Sequence, residues 1–188
     1  MFLKPLLGAA LTGLLTLAAP FADAAPRTVT DPNAPRELKA EGPVQVRWTD
    51  PARFTELKNS ANRWETQRGN WVYQLADHLR TSASKRLAPG QTLDVTITDI
   101  KRAGDYEPQH GPRGQDIRIM KDIYPPRMTL TYVLRDAQGN VVRENAEERL
   151  IDMGYLSSGR GLLSDSDPLR YEKQMIDDWL KKLLPRTR

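Results

Sequence analysis

The chain has 188 residues, with 28 Lys and Arg against 24 Asp and Glu, for a formal net charge of +4 and an isoelectric point near 9.4. It contains no cysteine, which excludes disulfides, thiolate metal ligands, a cysteine nucleophile and the acylated N-terminal cysteine of a bacterial lipoprotein. A positive balance of this size attracts polyanions, but it is also within what solubility alone asks of a protein surface.

The N-terminal residues follow the order of an export signal. Lys4 precedes an apolar run from Leu6 to Ala19, and Ala22-Asp23-Ala24 offers an A-x-A cleavage site before Ala25. A bilayer-spanning helix needs roughly 20 apolar residues, whereas this run is shorter and is diluted by Gly8, Thr12, Gly13 and Thr16. Residues 1–24 are therefore expected to form a cleaved signal peptide, leaving a periplasmic or secreted protein without a transmembrane segment. The 164 residues that follow, out of 188, are enough for one domain with its own core.

Residues 25–42 hold Pro26, Pro32 and Pro35 among polar neighbours and read as a flexible proline-rich leader, a tether to a single domain over 43–188. Val44, Val46 and Trp48 alternate with polar residues as a half-buried strand does, and Asp50-Pro51 ends it. Between Arg63 and Leu87 the period changes: Val72, Leu75, Ala76, Leu79, Ala83 and Leu87 recur at three- and four-residue steps. That spacing predicts an amphipathic helix, stopped by Pro89-Gly90.

Leu93, Val95 and Ile97 give a second strand, Ala103 to Gly114 a Gly- and Pro-bearing loop, and Ile117 with Ile119 a short third strand. Met128, Leu130, Tyr132 and Leu134 define a fourth strand, the turn residues Asp136 to Asn140 follow, and Val141 to Ile151 returns as a fifth, so the pair reads as a hairpin. After a Gly- and Ser-rich stretch, Asp167-Pro168 opens a second helix whose stripe is Leu169, Ile176, Leu180 and Leu183, with Trp179 at its edge. The order predicts an α+β fold: an antiparallel-rich sheet of about five strands with two amphipathic helices packed against it.

Several segments carry a family resemblance: Val44 to Trp48 with Asp50-Pro51, the loop Ala103-Gly104-Asp105-Tyr106-Glu107-Pro108, Asp116-Ile117-Arg118, Pro126-Arg127-Met128-Thr129-Leu130-Thr131-Tyr132, Leu150-Ile151-Asp152-Met153, and Tyr171-Glu172-Lys173 before Trp179. Together they resemble the Domain of Unknown Function 3016 family of exported proteobacterial proteins, over nearly all of the chain that follows the signal. The resemblance implies a single periplasmic or secreted domain of a Gram-negative bacterium, and it brings no activity, substrate or catalytic residue with it.

Residue chemistry singles out one loop. Asp105, Glu107, His110 and Asp116 could offer hard oxygens and an imidazole to a divalent ion, but their spacing fits neither an EF-hand nor a zinc helix motif, and a solvated acidic loop is the competing reading. Arg118, Lys121 and Arg127 flank Tyr124 and Pro125-Pro126, a pattern able to hold a glycan or a phosphate-bearing lipid. Strand-edge charge that prevents sheet-to-sheet association explains the same residues. Arg160 lies in Ser157-Ser158-Gly159-Arg160-Gly161, which could wrap an anion but lacks both the P-loop ending and the G-x-S-x-G spacing. His78, on the polar side of the first helix, reads as a solvated surface residue. Trp48, Trp71 and Trp179 read as core, while the setting of Trp64 stays open.

These features favour a non-catalytic binding module for an envelope protein or an anionic envelope glycan or lipid, with no cofactor, no metal and no nucleic-acid partner expected. Two other readings stay open. One is a small hydrolase or metal-dependent enzyme using the 103–118 loop through Asp105, Glu107, His110 and Arg118, and the other is a structural envelope-stress protein.

Overall fold

A computed structural model describes residues 28–111, 115–157 and 166–185. The expected signal peptide and Arg160 lie outside them. Six strands and four helices follow in the order β1 (Val44–Trp48), α1 (Thr55–Asn59), α2 (Arg63–Gln67), α3 (Trp71–Ser84), β2 (Thr92–Lys101), β3 (Asp105–Tyr106), β4 (Arg118–Ile119), β5 (Arg127–Arg135), β6 (Val141–Ile151) and α4 (Arg170–Leu183).

The α+β class holds, but the sheet is mixed rather than antiparallel throughout. Its four strands run β1-β2-β5-β6, with β1 parallel to β2 and the other two pairings antiparallel. The strand expected at Ile117 and Ile119 does not join it: β4 is two residues long and pairs only with β3, as a separate two-stranded ribbon. The parallel pairing follows from the chain between Trp48 and Thr92, which holds all of α1, α2 and α3, because a strand that re-enters a sheet in the same direction needs a long crossover.

The alternating residues of β1, β2 and β5 all point to one face. Val44, Val46, Leu93, Val95, Ile97, Met128, Leu130 and Leu134 are buried there beneath α3 and α4. Both predicted stripes close on that face: Val72, Leu75, Ala76, Leu79 and Ala83 from α3, Met175, Ile176, Trp179, Leu180 and Leu183 from α4. The Trp179 ring meets Tyr132 edge-on, with centroids 5.6 Å apart.

The first helix is shorter than its predicted span of 63–87 and is broken in two. Gly69 takes φ of 78°, a left-handed conformation that glycine adopts without strain, and the chain bends there between α2 and α3. The apolar period begins only at Trp71, so α2 stands apart, capped by the Asn62 side chain, whose Oδ1 accepts the Glu65 N–H at 3.1 Å.

The leader also departs from expectation. From Thr28 on it is packed, not a tether: Val29 and Leu38 belong to the core, and Val29 N–H donates to the Gln67 carbonyl at 2.9 Å. Arg36 to Leu38 runs along β1, with Leu38 N–H donating to Val46 and Trp48 N–H to Arg36 at 2.9 and 2.8 Å. Prolines are compatible with this because an edge segment can leave some of its N–H positions outside the ladder. Replacing Leu38 with Ala should therefore cost about 2–4 kcal/mol, seen as a lower urea midpoint with an unchanged slope. A midpoint equal to that of the parent chain would restore the tether.

Candidate functional site

Beneath the loop that joins β2 to β5 lies a group of charges closed to water. Glu56, on α1, is 1% exposed. One of its oxygens accepts from Arg118 Nη2, and the other accepts from Lys101 Nζ at 3.2 Å and the Arg102 backbone N–H at 2.9 Å. Burial alone would raise this carboxyl, but the attraction of Arg118, Lys101 and Arg102 outweighs it and holds the group below the usual carboxylate value.

The same cations grip the loop backbone. Lys101 Nζ donates to the carbonyls of Arg102 and Gly104 at 3.2 and 2.9 Å, and Arg118 Nη1 donates to those of Ala103 and Gly104 at 3.2 and 3.1 Å. Gly104 is at φ 72°, and a Cβ placed there would stand 2.8 Å from the Ile119 carbonyl oxygen, so both conformation and space at this turn require glycine.

A second buried carboxylate is matched less well. Glu172, on α4, is also 1% exposed; its Oε1 accepts the Ala103 N–H at 2.7 Å and lies 3.9 Å from Arg102 Nε. Among the described residues, Glu172 Oε2 and Arg102 Nε find no hydrogen-bond partner. Burial accordingly pushes the Glu172 carboxyl up and the Arg102 guanidinium down. Arg102 is held otherwise by the Pro168 carbonyl at 3.1 Å and by the Trp71 ring, 5.6 Å from its guanidinium carbon.

The structure sends the residues singled out in the sequence to different places. Glu107 is buried and takes Lys121 Nζ on both oxygens at 2.6 and 2.8 Å, with the Tyr124 hydroxyl donating to Oε1 at 2.8 Å. Those bonds raise both Lys121 and Tyr124, so neither stands ready for an anion as the sequence reading had them. Arg118 goes to Glu56, and Asp105 sits 3.5 Å from Lys101. Arg127 is exposed at the start of β5.

His110 ends a 3-10 turn at Pro108–His110, and its side chain lies outside the described residues. Asp105, Glu107 and Arg118 therefore form no shared centre. Among the described residues, no group of three His, Asp or Glu stands close enough to hold a metal ion.

His78 differs from expectation too. It is half-buried and bridges the two long helices, its Nε2 lying 3.0 Å from Asp177 Oδ1 and 3.4 Å from Ser82 Oγ. A Ser–His–Asp relay needs the hydroxyl and the carboxylate on opposite ring nitrogens. Here both meet the same one, so the contact joins α3 to α4 and forms no relay.

Glu56, Lys101, Arg102 and Glu172 were missed as a group. Glu172 did leave a signal, since it occupies the stripe position three residues after Leu169 and four before Ile176. Glu56 left none, because its partners are 45 and 62 residues away.

Beside this lock, on the solvent side of the loop, a cleft of about 250 Å³ is lined by Trp64, Tyr106, Pro108, Asn62, Gln115 and Asp116, with Ala61 at its edge. Trp64 is 63% exposed. Asn62 Nδ2 donates to the Gln115 carbonyl at 3.1 Å and to Asp116 Oδ1 at 2.7 Å, which ties α2 to the residues leading into β4. The two rings carry one guanidinium each: Arg68 over Trp64 and Arg118 over Tyr106, both 4.7 Å from the centroid.

The lock makes a pH prediction. Folding depresses the Glu56 value below its ordinary 4.5, so that stabilisation is complete above 4.5 and is lost as pH falls through the folded value. Glu56→Gln should cost about 3–5 kcal/mol at neutral pH, a gap that narrows in urea melts as the buffer is acidified below the ordinary value. Glu172 has the opposite sign: its contribution is full below 4.5 and is lost as pH rises through the raised value. Glu172→Gln should thus be at least as stable as the parent at pH 8 and lose that advantage toward pH 4. A Gln variant that unfolds at pH 8 would contradict the raised value.

The family model described as protein of unknown function (DUF3016) matches residues 42–182. No curated protein and no solved structure matches.

Proposed function

The chain belongs to the DUF3016 family, and from that premise we propose that it is a non-catalytic binding module of the Gram-negative envelope, which takes an envelope protein or glycan in the cleft beside Trp64. The observation that carries this reading is the exposure of Trp64 on the wall of a cleft that also holds Tyr106. An exposed tryptophan that lines a concave site together with a second ring and polar side chains is the kind of surface a folded domain uses for contact with another molecule.

Two further observations support it. The neighbouring charges that could serve acid–base chemistry are committed to one another, Glu107 to Lys121 and Tyr124, and Glu56 to Arg118. That commitment makes the loop a rigid wall, which suits a preorganised binding surface. The Lys4, Leu6–Ala19 and Ala22-Asp23-Ala24 order supports export, and with it a periplasmic or secreted module after loss of residues 1–24.

Immobilised protein lacking residues 1–24 should retain a component of envelope extract that the Trp64→Ala variant, folded to the same thermal midpoint, releases. Equal retention by the two proteins, or none by either, would remove the cleft from the reading.

A further inference from the structure

We infer that the cleft is a saccharide site, and that it takes a neutral, hydroxyl-rich ring which lays its C–H face on Trp64 and gives its hydroxyl protons to Asp116. This rests on the binding reading above and adds the class of ligand.

The argument comes from what the walls can and cannot accept. Aromatic side chains offer π faces to cations or to the C–H faces of rings. Both rings here already carry a cation: Arg68 stands over Trp64 and Arg118 over Tyr106, each 4.7 Å from the centroid. A cationic ligand stacking on the opposite face would meet a like charge across the thickness of the ring, so amines and basic peptides are disfavoured, whereas an uncharged C–H face meets no such repulsion.

An anionic ligand is disfavoured for a different reason. Asp116 is the charged side chain among the lining residues, and the adjacent guanidinium of Arg118 is already bonded to Glu56 and to the carbonyls of Ala103 and Gly104. Among the described residues that line the cleft there is no cation, so a ligand carboxylate or phosphate would approach the Asp116 carboxylate with nothing in that lining to offset it.

Hydrogen-bond polarity separates a sugar from a proline-rich peptide, the other common occupant of an aromatic groove. Such a peptide presents carbonyl acceptors and few donors, whereas a carboxylate such as that of Asp116 offers acceptor oxygens. Its Oδ1 takes the Asn62 amide at 2.7 Å, and among the described residues Oδ2 takes nothing. Neighbouring hydroxyls of a pyranose supply the donors this carboxylate lacks, and the Gln115 side-chain amide, with both a donor and an acceptor, suits hydroxyls in either role. The volume of about 250 Å³ suits one or two rings rather than a long chain.

The test is calorimetric titration of protein lacking residues 1–24 with four probes: chitotriose and maltotriose as neutral saccharides, trigalacturonate as an anionic one, and a decaproline peptide. At least one neutral trisaccharide should bind, with affinity falling tenfold or more in both Trp64→Ala and Asp116→Asn. It should also shield the tryptophan fluorescence that acrylamide quenches, since Trp48, Trp71 and Trp179 are buried and Trp64 is the exposed one of the four.

Binding of trigalacturonate or decaproline in place of the neutral sugars would overturn the ligand class while leaving the cleft as a binding site. Binding of no probe, together with retention of an envelope component that Trp64→Ala releases, would also overturn the class alone. Binding of no probe and no effect of Trp64→Ala on retention would bring down the class and the binding reading together.

Discussion

A carboxylate almost wholly removed from water must be answered by charge and by hydrogen bonds, and the loop between β2 and β5 is arranged around that demand. Glu56 draws Lys101 from the end of β2, Arg118 from β4 and the Arg102 amide into one place. Those two cations also donate to the carbonyls of residues 102, 103 and 104. Among its described residues the loop has the two-residue β3–β4 ladder and one 3-10 turn of its own, so its shape depends on this group of ions more than on secondary structure. Breaking such a group by removing one partner is far more damaging than never having buried it, because the charges left behind keep their desolvation cost.

That dependence links the core to the cleft. Arg118 bonds Glu56 with one nitrogen and lies over the Tyr106 ring, so the same side chain that closes the interior also sets the position of one cleft wall. Asn62 performs the corresponding task on the opposite side, capping α2 with its oxygen and tethering Gln115 and Asp116 with its nitrogen. Trp64 stands two residues beyond it. A ligand entering the cleft would therefore meet walls that are fixed before it arrives, and little ordering entropy remains to be lost on binding.

How far the sequence foretold this divides along a physical line. Elements whose signal is periodic and local were legible: the α3 stripe from Val72 to Ala83, the β5–β6 hairpin with Asp136 to Asn140 as its turn, and the α4 stripe to Leu183. Asp136 confirms the turn, accepting the N–H groups of Gln138 and Asn140 at 2.9 Å each. What escaped was long-range. Nothing near Glu56 announces a partner in Arg118, and Val29 and Leu38 are single apolar residues in a polar, proline-bearing stretch whose burial depends on α2 and β1 being in place. Among the candidate site residues, chemistry drew attention to the loop of Glu107, Arg118, Lys121 and Tyr124, but it read as available for ligands groups that the fold uses on itself.

The C-terminal helix adds a constraint of a different kind. Leu180 and Ile176 have no exposed surface, and Glu172 of the same helix reaches back to the Ala103 amide. Half of the helical cover of the hydrophobic core and the far anchor of the loop are thus supplied by one helix. Any truncation that removes α4 therefore leaves the sheet covered by α3 alone, a sticky half-domain rather than a smaller version of the whole.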